Sequence, residues 1–327
     1  MQTLADRAFA ASPVPLFMST EMRMLGMRAA SPHLQRVRSG VYARRDLYDA
    51  LRPWQRYAAR VHAFVRTHPG AVLCLESAAV MHGLPHFGET ALIHVLADAG
   101  EKSRRFGDVM VHSSADPRGV TSIAGIHCTD LLDTAVDLTR VLSSAKGLAV
   151  ADAAMSPFQG GDVRRSTADE ALCGQMNSRG RARARWVWTN ADERSESPGE
   201  SVSRAVIAWC GFETPQLQTE FTHEGTKDRA DFFFPSCRVI GEADGWGKYR
   251  LEDPNAAAQH LADEKRREDR LRRNGHPVAR WDLADAWKVD PLRSALAAAG
   301  VPLVRPPQEG MLASLRLALR EAPRLRP

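Results

Sequence analysis

The stretch Arg229-Ala230-Asp231-Phe232-Phe233-Phe234-Pro235-Ser236-Cys237-Arg238-Val239-Ile240-Gly241-Glu242-Ala243-Asp244-Gly245 reads as two apolar strands joined by a turn, with carboxylates where core residues are expected. Asp231 opens the first run, and Glu242 and Asp244 close the second, spaced by two. In a strand that spacing puts both side chains on one face. Acidic groups converging at strand ends repel one another and resist burial, and a divalent cation is the common way to hold them together.

Outward from this pair the pattern is tidy. Pro198 to Cys210 has helical spacing, with Glu200 and Arg204 four apart. Gln216–Phe221 and Ala230–Phe234 are expected to form a hairpin around His223-Glu224-Gly225, and Arg238–Asp244 is the third strand. A long helix over about 255–274 ends at Gly275, and a strand follows from Pro277 to Trp281. The order is helix, three strands, helix, strand. Past Gly300 the chain is proline-rich, with a further helical stretch from Met311 to Glu321.

In that order, Asp231, Glu242 and Glu200 are candidates to hold a cation against a scissile phosphate. There the metal polarises a phosphoryl oxygen and lowers the pKa of a bound water. Each residue also has a plainer reading: Asp231 as a turn cap, Glu242 as the partner of Arg229 or Arg238, and Asp244-Gly245 as an ordinary turn pair. Lys265, Arg266, Arg267, Arg270, Arg272 and Arg273 crowd the long helix, interleaved with Glu264, Glu268 and Asp269. They make either a solvated, salt-bridged face or a phosphate-facing one. Trp246, at the expected mouth of the site, either stacks on a base or packs.

The first half is a second organisation. Residues 1–19 are proline-dotted and expected to be irregular. Glu21 to Leu34 has helical character, broken at Ser31-Pro32, and a basic hairpin follows around Ser39-Gly40, carrying Arg36, Arg38, Arg44 and Arg45. Pro53–His68 is a helix. Leu73-Cys74-Leu75 and the helix-like Glu76–Pro85 come next, then the strands Ala91–Ala97, Gly107–His112 and Ile123–Cys128, and Thr129 caps a helix from Asp130 to Leu142 whose partner is Leu148–Met155. Residues 156–192 form a seam marked by Gly160-Gly161, with a helix expected at about 167–177 and the run Arg179 to Arg185. That run lacks interleaved acids, so Arg181 and Arg183 are either phosphate contacts or part of a soluble linker.

At 327 residues, two domains are expected; 44% hydrophobic and 25% charged residues are those of a soluble globular protein. A net charge of +5 permits a polyanionic partner without requiring one. Five scattered cysteines with no Cys-x-x-Cys pair suggest neither a zinc knuckle nor a disulfide framework, so a reducing cytoplasm is expected. No signal peptide, bilayer-spanning run or membrane partner is expected.

Two resemblances sharpen these readings. Ser197-Pro-Gly-Glu200-Ser-x-x-Arg204, Pro215-x-x-Gln218, Asp231-Phe, Val239-Ile-Gly-Glu242-Ala-Asp244-Gly and Arg267-Glu-x-x-Leu271-x-x-x-Gly275-x-x-Val278-x-Arg280-Trp resemble the PD-(D/E)XK nuclease-like superfamily, particularly its very-short-patch-repair endonuclease branch. The resemblance covers residues 193–290 or so. It implies Mg2+ (or Mn2+) bound by Asp231 and Glu242, with Glu200 supporting. The lysine of the family name is Asp244 here, and Lys248 and Lys265 are the candidates to supply its charge. Arg38-Ser-Gly-Val-Tyr42, Leu75-Glu-Ser-Ala-Ala-Val-Met-His-Gly-Leu-Pro85, Ile93-His-Val95 and Thr129-x-x-x-x-Thr134-x-x-Asp137-Leu-x-Arg140 resemble AbiEi-type antitoxins of type IV toxin-antitoxin systems. In that family an N-terminal winged helix binds operator DNA.

The expected fold is α/β (α+β): a degenerate winged-helix, AbiEi-like module at 20–155, a basic linker at 156–192, and a restriction-endonuclease-like domain at 193–300. That last domain carries a mixed four-stranded sheet flanked by helices, and a tail follows at 301–327. The expected function is Mg2+-dependent hydrolysis of double-stranded DNA. It would use Glu200, Asp231, Glu242, Asp244 and Lys265 for catalysis, and Arg36, Arg38, Arg181, Arg183, Arg204, Lys248 and Arg266 for nucleic acid. One alternative is a DNA-binding regulator or antitoxin with an inactive nuclease-like half, partnered by a cognate toxin or its operator. A protein-interaction module is the other.

Overall fold

Three β-sheets and the helices between them make up the computed structural model, which describes residues 2–24, 26–88, 90–97, 100–244 and 254–315. The first sheet is antiparallel, in the order β1 (Phe17–Met18), β3 (Val41–Arg44), β2 (Leu34–Arg38). It contains the basic hairpin, turned at Gly40. The segment expected to be irregular is ordered. Helix α1 (Leu4–Arg7) is capped by Thr3 and Asp6, Leu4, Val14 and Leu16 are buried, and β1 pairs with the hairpin. Apolar residues between the prolines had a core to fill, which proline content alone does not reveal. The helical stretch before the hairpin is only α2 (Ser19–Met24). Helices α3 (Arg45–Asp49) and α4 (Pro53–Thr67) follow, and α4 buries Tyr57, Val61 and Phe64 at helical spacing after a proline at its start.

The second sheet has six strands: β4 (Val72–Leu73), β5 (Ile93–Leu96), β6 (Arg104–Phe106), β7 (Val109–His112), β8 (Val120–Ile123) and β9 (Ile126–Thr129), ordered β6-β7-β5-β4-β9-β8. Helix α5 (Leu75–His82) links β4 to β5. Strand β6 escaped the sequence reading because Arg104, Arg105 and Phe106 are all exposed at a sheet edge, so no apolar alternation marks them. The cap of α6 (Leu131–Val141) is Asp130, which accepts from the Asp133 amide, and not Thr129, whose hydroxyl is buried against Thr134 at 2.7 Å.

The expected linker is packed structure. Helix α7 (Ser144–Met155) is followed by α8 (Arg165–Gly174) and α9 (Arg181–Asn190). The basic run enters α9, whose Ala184, Val187 and Trp188 are fully buried, and the Trp188 indole donates to Thr139 Oγ1 at 3.2 Å. Arginines alternating with alanines look like a linker in one dimension. On a helix, one side of the same run is apolar.

The last third matches its expected order. Helix α10 (Pro198–Cys210) leads to β10 (Gln216–His223), β11 (Thr226–Phe234), β12 (Val239–Asp244), α11 (Pro254–Arg273) and β13 (Val278–Asp282). The sheet runs β10-β11-β12-β13, antiparallel except for the parallel β12–β13 pair: a mixed four-stranded sheet flanked by helices. The β10–β11 turn holds Glu224 and Gly225 at φ 50° and 72°, the left-handed pair that a tight hairpin requires. Helix α10 covers one face through Val202, Val206 and Ile207 against Phe232, Phe234 and Trp281, while α11 covers the other through Leu271 against Ala230 and Ile240. Helices α12 (Leu283–Lys288), α13 (Asp290–Ala298) and α14 (Glu309–Ser314) complete the chain's described part. The start of the expected tail is docked: the Val304 amide bonds the Gly211 carbonyl, and Val301 and Leu312 are buried.

The core does not stop between the halves. One buried cluster runs from Leu4 through α6, α7, α8, α9 and α10 into the four-stranded sheet. Among the described residues, no helix is long and apolar enough to cross a membrane.

Candidate functional site

Asp231 stands near the middle of the four-stranded sheet. The Phe232–Gly241 rung brings it beside the Glu242 end of β12, and the Ala243 amide donates to its Oδ2 at 2.9 Å. On its other side the β10 ladder skips a rung between Leu217–Phe232 and Thr219–Ala230. The skipped residue, Gln218, is left-handed at φ 53°. That conformation costs about 1–3 kcal/mol in a non-glycine residue and persists where surrounding contacts over-determine it. Here the Gln218 side-chain Nε2 donates to Glu200 Oε2 at 2.9 Å.

Glu200 occupies the first turn of α10, behind the Ser197 cap. Its Oε2 also accepts from the Glu196 amide at 2.8 Å, and the side chain is buried. Glu242 is buried as well, and Arg267 of α11 donates to its Oε1 at 2.7 Å. Arg267 also reaches the Arg229 carbonyl at 2.6 Å.

Electrostatics tie the three acids together. Burial pushes Glu200 up to about 8, and the charge of Asp231 is the next contributor. Burial pushes Glu242 up to about 7, again with Asp231 next, while Arg267 pulls the other way. One carboxylate thus acts on a helix residue and a strand residue far apart in sequence.

The remaining expected catalytic residues fall elsewhere. Asp244 shares a strand face with Glu242, but Arg280 of β13 lies 3.4 Å from its carboxylate oxygens. The same Arg280 holds Glu264 at 2.8 Å and Glu268 at 3.0 Å, so Asp244 belongs to an ion-pair network under α11. Lys265 is exposed, because Glu264, Arg267, Glu268 and Leu271 are the residues of α11 that turn inward. Lys248 and Trp246 lie outside the described residues. The basic groups that do meet the acids, Arg267 and Arg280, were legible only as members of a charged motif. The usable signal was that Arg267 sits four residues before buried Leu271, on the same helix face.

Most of the expected nucleic-acid residues have partners within the protein. Arg204 bonds Asp152 at 2.6 Å and the Asn190 carbonyl at 2.5 Å. Arg38 pairs with Asp108 and lies 5.2 Å over the Phe64 ring. Arg181 is turned onto the carbonyls of Gln175 and Asn177, and Arg183 donates to the Arg140 carbonyl at 3.1 Å. Arg36 and Arg266 are exposed, the latter 3.2 Å from Asp263.

Carboxylate oxygens are the hard donors that Mg2+ and Mn2+ take, and Mg2+ is commonly held by one or two carboxylates with waters completing its shell. Asp231 and Glu242 fit that description in kind and in place. Among the described residues, no three His, Cys, Asp or Glu side chains are set around one point. Glu200 faces the Gln218 side chain and the Glu196 amide, behind the pair.

No family model matches this chain. It is 33% identical over 223 residues to two proteins of Mycobacterium tuberculosis, the uncharacterized proteins MT2308 (strain CDC 1551 / Oshkosh) and Rv2248 (strain ATCC 25618 / H37Rv). The match spans 67% of this chain and 77% of each relative. The chain belongs to the family of these mycobacterial proteins.

Proposed function

We propose that the C-terminal half hydrolyses phosphodiester bonds of double-stranded DNA with Mg2+ or Mn2+, and that the N-terminal half, with its winged-helix-like hairpin, helps to hold the DNA. The observation that carries this reading is the convergence on Asp231 of two buried glutamates from separate elements. Such repulsion is costly unless a cation joins the acids. Asp231 and Glu242 hold the ion, and Glu200, fixed through Gln218, keeps β10 and β11 in register around it. When bound, the ion polarises the phosphate and activates a water. Arg267 is the cation placed to meet a phosphate oxygen, the task the superfamily's lysine performs; Arg36 and Arg266 offer exposed charge to the backbone.

One contact favours a second reading. The 2.7 Å Arg267–Glu242 ion pair already neutralises one ligand. On that reading Arg267 stands permanently where the metal would, and the chain is a DNA-binding regulator or antitoxin without hydrolysis. Supercoiled plasmid incubated with the full chain and Mg2+ or Mn2+ separates the two. Nicking that disappears in Asp231→Ala supports hydrolysis at this site. Nicking equal in the variant refutes the site, and a salt-dependent gel shift without nicking supports the regulator.

A further inference from the structure

The motifs that mark the N-terminal half are scattered over the sequence, yet several of them line one cavity. It encloses about 1060 Å³ between the β5–β7 face of the six-stranded sheet, α6 and the turn into α9. Leu75, His94, Asp137 and Arg140 of those motifs all face it, and so do Arg179 and Arg183 of the basic run. The carboxylate-site reading uses none of these residues.

The cavity is strongly and unevenly charged. Five arginines line it, Arg105, Arg118, Arg140, Arg179 and Arg183, against two acids. Both acids are committed. Asp137 is held in a two-pronged pair by Arg118 at 2.8 and 3.0 Å, and Asp116 accepts from the Met176 amide at 2.8 Å. Arg140, 7% exposed, has only carbonyl and amide oxygens as partners: Gln175, Asn177 and Arg179. Among the described residues, Arg105, Arg179 and Arg183 have no carboxylate partner. Buried Arg140 shares Asp137 and Asp116 with the other cations of this space; five guanidiniums against two acids leave an excess of positive charge that calls for an anion.

The local backbone serves the same end. Gly180, the N-cap of α9, is at φ 74°, and a Cβ there would lie 2.2 Å from the Arg140 carbonyl. Glycine is what lets the positive end of α9 close onto this wall. The opposite wall is different in kind: Leu92, Leu96 and Met110 are apolar, with the His94–His112 pair, 2.9 Å apart, at its centre. One side therefore matches phosphate; the other offers a largely apolar face to a flat body, with Arg105, the rung partner of Met110, as a further cation at its edge.

The geometry points to a second ligand site, in which the N-terminal half binds a phosphate ester of nucleotide size, its phosphates on Arg105, Arg140, Arg179 and Arg183 and its body on the β5–β7 face. The volume is at the upper end of small-molecule sites, ample for a nucleoside triphosphate. A free nucleotide and the 5′-phosphorylated end of a nucleic-acid strand share this chemistry.

The test is a calorimetric titration of the full chain, in chelator so that the carboxylate site does not contribute. The probes are ATP, GTP, CTP, UTP, inorganic pyrophosphate and a short 5′-phosphorylated single strand. At least one nucleotide or the strand is expected to bind at least about tenfold more tightly than pyrophosphate. Arg179→Ala with Arg183→Ala should weaken it by about tenfold or more, and Asp231→Ala should leave it unchanged. Exposed Arg105→Ala, on the other wall, gives the same loss without touching the α9 contacts, which guards against misfolding of the double variant. Preference for nucleotides names a free ligand; preference for the strand names a nucleic-acid end. The inference is overturned if no probe binds at about 1 mM, if pyrophosphate binds as well as any nucleotide, or if binding ignores Arg105→Ala.

Discussion

Removing Arg204 should unfold this protein more readily and leave the DNA binding proposed for it unaffected. Arg204 projects from α10 toward α7, where Asp152 is completely inaccessible and the ion pair measures 2.6 Å. In Arg204→Ala the carboxylate keeps the Asp192 amide, at 2.8 Å, and the Ser201 hydroxyl, but no cation. Stranding one member of a buried pair costs about 3–5 kcal/mol. In a chain of this size that corresponds to a fall in melting temperature of about 4–7 °C. The pH dependence has a definite sign. Burial raises the Asp152 pKa, and Arg204 is the largest opposing influence. Without Arg204 the folded pKa rises further, so the folded state retains a proton that the unfolded state has lost. Stability then declines as pH rises through that window, and the variant's deficit is larger at about pH 8 than at about pH 5. Urea unfolding at both pH values measures it, and Asp152→Asn with Arg204→Met should recover much of the loss. A deficit below about 1 kcal/mol, or weakened DNA binding at unchanged stability, would return Arg204 to the nucleic-acid surface and refute the brace.

Two further outcomes are expected. In chelator, stability should fall as pH climbs from the ordinary glutamate value near 4.5 through about 7 and 8, since Glu242 and Glu200 keep their protons only in the folded state. Asp231→Asn should flatten that slope, and an equal slope in urea titrations of both proteins would mean that Asp231 does not govern the two glutamates. Gly241→Ala should lower the urea midpoint, because its Cβ would lie 2.6 Å from the Trp281 ring and 3.2 Å from Phe232 Cβ. The cost is about 1–3 kcal/mol, and an unchanged midpoint would show that the Trp281 ring yields freely.

The four-stranded sheet was legible because its strands alternate or run apolar between strong turn signals, and because Pro198 and Gly275 punctuate the flanking helices. Asp231 and Glu242 stood out for the same reason: a carboxylate inside an apolar strand has few explanations. What surrounds them was less legible. Gln218 carries no mark of its left-handed backbone, and Arg267 looks like its five cationic neighbours until Leu271 fixes the buried face of α11. The partners of the arginines expected on DNA were not legible, because charge in a sequence does not say where the side chain lies. Arg38, Arg181 and Arg204 are long enough to reach inward to carboxylates and carbonyls, and a residue count treats them like exposed Arg36.

Helix α10 is a party wall. One side closes the sheet that carries Asp231 and Glu242, the other is clamped to α7, and Glu200 stands at its head. Cutting the chain near residue 193 would strip the wall's outer face and leave Asp152 without its cation, so neither fragment should survive as a separate protein. Recombination in this lineage then has no clean seam to exploit at that point. The two halves would be inherited together, and a change of partner in one would be felt through α10 in the other.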